Sequence, residues 1–110
     1  MSTKKAIISL EDNDPRISII VQIEDLDHPY AMVTYDYGTK KTTYEIRLKP
    51  TEAIQAETLE DQRIKLNKHI ERPDVVIGSD LLEIAALVLR QKQRSRESKV
   101  QAEIDEFVYM

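Results

Sequence analysis

The side chains that could do chemistry in this chain are two histidines, a scatter of carboxylates and five tyrosines, and none falls in a catalytic spacing. His28 stands in the turn-like stretch Asp25-Leu26-Asp27-His28-Pro29, and His69 near the end of a polar segment. General acid–base work needs a histidine held by a partner, and neither belongs to a His-x-x-x-His pair or a serine-centred elbow. Both read as surface histidines. Asp12 and Asp14 have the alternate spacing that opens a calcium loop, but Arg16 takes the next ligand position and the loop glycine is missing. Glu24, Asp25 and Asp27 beside His28 could gather round a divalent ion. The same residue types are favoured by turns, because their side chains bond the local backbone. The turn reading is preferred, so neither a metal nor a cofactor is expected.

Phosphate chemistry is equally unsupported. With only Gly38 and Gly78, the chain can write neither a phosphate-binding loop nor a dinucleotide fingerprint. The lack of cysteine excludes a disulfide scaffold, a thiolate zinc site and a cysteine nucleophile. Carboxylates are so abundant that a pair for glycoside chemistry carries no signal. No catalytic residue is assigned, and the expectation is a binding protein rather than an enzyme.

Two features bear on what it binds. Residues 1–62 carry a net charge of −5 and residues 63–110 a net charge of +1, with Arg90, Lys92, Arg94, Arg96 and Lys99 forming a basic band. Such a band can neutralise phosphates, which makes nucleic acid the alternative ligand. On a helix, however, alternate positions spread round the axis, and no aromatic residue lies nearby to stack a base. After the band, Val100, Ile104, Phe107 and Val108 restore an apolar helical stripe. These four are the candidate partner-binding residues. The partner is expected to be another protein or a second copy of the chain, in a homo-oligomer such as a dimer.

The elements that position these residues follow from periodicity. Ile17, Ile19, Val21 and Ile23 alternate with polar neighbours, as do Tyr44, Ile46 and Leu48, which is the period of half-buried strands. Ala31, Val33, Tyr35 and Tyr37 share the inner face of a third strand, and Ala6, Ile8 and Leu10 one face of a first. Tyr35, Tyr37 and Tyr44 are expected to cluster across strands. Ile7, Ile20, Tyr30 and Met32 fall on the opposite face, where either a later helix or a partner covers them, the helix being preferred. The short connections around Pro15, Pro29 and Gly38 imply an antiparallel meander, with Gly38 supplying a left-handed turn position. From Thr51 to Ile70 neither glycine nor proline interrupts a helical pattern, although Thr58 offers a second start. Asp74-Val75-Val76-Ile77-Gly78 allows a short fifth strand. A second helix is expected from Asp80, with Glu83 in capping-box spacing. If it ran unbroken from 81 to 108 it would be about 40 Å long.

Size and composition set the frame. A chain of 110 residues with 41% hydrophobic and 33% charged side chains suits one domain with a modest core. Only 5% of residues are aromatic, so isoleucine, leucine and valine must build that core. The longest apolar run, Ile84 to Leu89, is far short of the roughly 20 residues of a membrane span. The expectation is a cytoplasmic α+β protein in which residues 1–110 form one domain. It comprises a four-stranded antiparallel meander followed by two helices, with 91–110 either a projecting C-terminal helix or, after a break at Ser95 or Ser98, folded back over the sheet.

Overall fold

A computed structural model describes the backbone of residues 5–108 and the side chains through Arg94. Five strands come first: β1 (Ala6–Asn13), β2 (Arg16–Ile23), β3 (Tyr30–Asp36), β4 (Lys41–Lys49) and β5 (Glu52–Ala56). Two helices follow, α1 (Leu59–Asn67) and α2 (Pro73–Val108). The strands form one antiparallel sheet in the order β1-β2-β3-β4-β5. This is the expected α+β fold, a meander with a short fifth strand ahead of two helices.

The expected buried faces hold where the alternation is clean. Leu10, Ile19, Val33 and Tyr44 lie side by side across four strands, so their side chains share one face. Ile19, Val21, Val33 and Ile46 are fully buried there, and Tyr44 is partly buried. Val75, Leu81, Leu82, Ala85 and Leu89 of α2 close over this face, and Leu66 of α1 completes the core. Burying each such side chain contributes about 1.5–3 kcal/mol relative to leaving it in water.

Four local expectations are corrected. The fifth strand is Glu52–Ala56, not Asp74–Gly78, and the segment from Thr51 is therefore not helical at its start. The first helix begins instead at Thr58, whose Oγ1 accepts the Asp61 N–H at 3.0 Å. Residues 74–78 are helical. Pro73 opens α2 where a missing N–H is harmless, and Asp74 adds negative charge to its first turn. Asp80 thus lies inside α2 rather than capping it. Val75, Gly78, Leu82, Ala85 and Leu89 then recur on one helix face.

The third correction concerns the β3–β4 turn, where Lys40 at φ 61° takes the left-handed position expected of Gly38. Asp36 organises that turn, its Oδ1 accepting from the N–H groups of Gly38 at 2.8 Å and Thr39 at 3.1 Å. The last correction concerns the outer face. Ile20, Tyr30 and Met32 are half-buried on a face that neither α2 nor the core residue Leu66 of α1 covers. No helix among the described residues is long and apolar enough to cross a membrane.

Candidate functional site

The two edges of the sheet are finished differently. At β5 the edge is sealed by α1: Gln62 Nε2 donates to the Ile54 carbonyl at 3.0 Å, and Lys65 Nζ to the Gln55 carbonyl at 2.6 Å. Arg72, just before α2, clamps the start of the same strand with two bonds of 2.9 Å to Glu52, and it also bonds Asp74 at 2.7 Å. These bonds hold the Glu52 and Asp74 carboxyls below their ordinary range, against a smaller opposing effect of burial. The two carboxylates in turn raise the Arg72 guanidinium, first through its hydrogen bonds to Glu52 and then through those to Asp74.

At β1 nothing comparable happens among the described residues. All eight of its residues are exposed, because α2 packs over β2, β3 and β4 and leaves the outermost strand uncovered. Ile8 and Leu10, on the core-facing side, keep 49% and 48% of their surface exposed, and Ile7 on the other side keeps 42%.

Between α1 and α2 runs an open groove of about 280 Å³ whose walls include Leu59, Leu66, Leu82 and Ala86. Gln62 lies in this wall, 1% exposed, and its Oε1 has no hydrogen-bond partner among the described residues. The titratable residues lining the groove are Arg63, Glu83 and Arg90. The Ser79 hydroxyl lines the groove as well. Behind it, burial pushes the Tyr44 phenol up, and the charge of Arg90 partly offsets this.

The residues expected to bind partners fall on α2. Arg90, Lys92 and Arg94 are all exposed. At 100° per residue their positions spread around the helix rather than forming a stripe. The side chains of Arg96, Lys99, Val100, Ile104, Phe107 and Val108 lie outside the described residues, although their backbone belongs to α2. His28 packs near Tyr30, with ring centroids 5.6 Å apart, and His69 is exposed. Tyr35 and Tyr37 meet edge to face at 4.8 Å, while Tyr44 sits opposite Val33. No three metal-ligating groups converge among the described residues.

Sequence reasoning missed Gln62 and the bare edge of β1. Gln62 had a signal: it stands three residues after Leu59 and four before Leu66, within the apolar face of its helix. The exposure of β1 had none, since the pattern of a strand does not say which strands a helix will cover. No family model, curated protein or solved structure gives a significant match to the chain.

Proposed function

We propose that this protein is a non-enzymatic assembly or protein-docking module of the cytoplasm, associating through the distal part of α2. The observation that carries this reading is the length of that helix. Its 36 residues span about 54 Å, whereas the longest strand beneath it, nine residues, spans about 30 Å. Leu89 is the last buried residue among those described on α2. Beyond it, the sequence returns to apolar residues at Val100, Ile104 and Phe107, spaced as a stripe on one helix face. A helix that outruns its own sheet buries such a stripe on another polypeptide.

Light-scattering mass and partner capture test the proposal. Replacing Ile104 and Phe107 with alanine should lower the associated mass, whereas neutralising Arg90, Lys92, Arg94 and Arg96 together should leave it unchanged. The reverse pattern, with nucleic-acid affinity falling steeply as salt rises, would replace the docking reading with phosphate binding.

A further inference from the structure

We infer that β1 is a self-pairing edge: two copies of the chain join β1 to β1 across a two-fold axis at Ile8, making one continuous ten-stranded sheet. The premise that the chain assembles is shared with the reading above, but the surface is a different one.

The backbone comes first. The Lys5 carbonyl accepts the Glu24 N–H at 2.8 Å, so the polar backbone groups of Lys5 face β2. Alternation along the regular β1–β2 register then turns those of Ile7, Ser9 and Glu11 inward too. The N–H and C=O groups of Ala6, Ile8 and Leu10 therefore point outward along the free edge. An edge of this kind is ordinarily blunted by charge, proline, a bulge or a covering element. Residues 6–10, Ala-Ile-Ile-Ser-Leu, carry none of these, while the opposite edge is short and sealed by α1.

The side chains say what fits there. The strand is uncharged in its middle, with Lys5 before it and Glu11 and Asp12 after it. If Ile8 faces its own symmetry mate, Ala6 falls opposite Leu10, and Lys5 opposite Glu11, twice over. Each pair lies on the same face of the sheet, as antiparallel pairing requires. The three outward-facing residues then form hydrogen-bonded pairs, Ala6 with Leu10, Ile8 with Ile8 and Leu10 with Ala6. Moving the axis to Ser9 would set Ile7 against Glu11 and Ala6 against Asp12, so charge selects the Ile8 register. The half-exposed Ile8 and Leu10 of both copies meet in one apolar strip. Because α2 rests on β2, β3 and β4, the join is free of it. A surface that is complementary to itself under a two-fold rotation fits a second copy.

The test is a charge exchange at two exposed positions, read as full-chain mass against concentration. Lys5→Glu alone and Glu11→Lys alone should each weaken dimerisation by roughly tenfold, because each sets like charges face to face twice. The double variant Lys5→Glu/Glu11→Lys should recover it, and mixing the two single variants should give a heterodimer. Ile8→Pro removes an N–H that no bond among the described residues uses, and it should abolish pairing while circular dichroism stays native. A wild-type monomer at the highest soluble concentration overturns the inference, as does a double variant that fails to recover. If Ile104 and Phe107 replacements dissociate the protein while Lys5→Glu does not, the β1 inference fails and the α2 reading stands. If Lys5→Glu dissociates it while the Ile104 and Phe107 replacements do not, the interface is β1 and the α2 reading fails.

Discussion

Gly78 of α2 rides directly on Ile46 of β4, so closely that a Cβ added at Gly78 would stand 2.4 Å from Ile46 Cγ2. The missing side chain lets the helix axis approach the sheet, and Ile46 is fully buried as a result. Helix propensity alone would favour alanine at this position by about 1 kcal/mol. The contact outweighs it, because 2.4 Å is a clash that the packed core must relieve by moving.

Gly78→Ala should therefore destabilise the fold by about 1–3 kcal/mol in denaturant unfolding. Combining it with Ile46→Ala should cost less than the sum of the two single changes, since the cavity left by Ile46 accepts the new methyl. Strict additivity would show that the helix does not rest on Ile46.

Arg72 should shape the acid limb of stability. Glu52 and Asp74 have lowered carboxyl pKa values in the folded protein, so they bind protons less readily folded than unfolded. Their contribution is fully present above the ordinary carboxylate range, near pH 4, and is lost as pH falls through the lowered values. Arg72→Gln should reduce stability at neutral pH and converge with the wild type in strong acid. A constant difference between the two, measured by urea midpoints from pH 7 to pH 2, would contradict the clamp.

At Gln62, leucine and alanine should part company. Gln62→Leu removes one hydrogen bond to β5, worth about 0.5–1.5 kcal/mol, but also removes a buried acceptor without a described partner. The two effects nearly cancel, so stability should change by less than about 1 kcal/mol. Gln62→Ala leaves a cavity beside Leu66 and should cost about 2–4 kcal/mol. Equal losses in the two variants would mean that the bond to Ile54, rather than packing, governs this position.

The strands of the first half were legible because their alternation fixes which face each strand buries: Ile19, Val33 and Ile46 share the core face, and a slip of one residue would turn a whole strand's apolar set outward. Val75-Val76-Ile77 was misread because a β-branched run bounded by Pro73 and Gly78 has the local composition of a strand. Its helical conformation is decided by the sheet beneath, which needs Val75 and Gly78 on the same face as Leu82. β5 was hidden for the opposite reason, with no glycine or proline separating it from α1. The association surfaces were legible only in part. The apolar spacing of Val100, Ile104 and Phe107 is written in the sequence, but the exposure of Ile8 and Leu10 follows from where α2 crosses the sheet.

Sheet neighbours in this fold are also sequence neighbours, so every strand pairing closes through a hairpin of low contact order, and the sheet can zip from its N-terminal end during synthesis. The helix that seals the core leaves the ribosome after all five strands. Until residues 75–89 arrive, Ile17, Ile19, Val21, Ala31 and Val33 form a naked apolar surface. A chain interrupted before Leu89 is thus a hairpin array without its lid, and chaperone capture or aggregation is its physical fate.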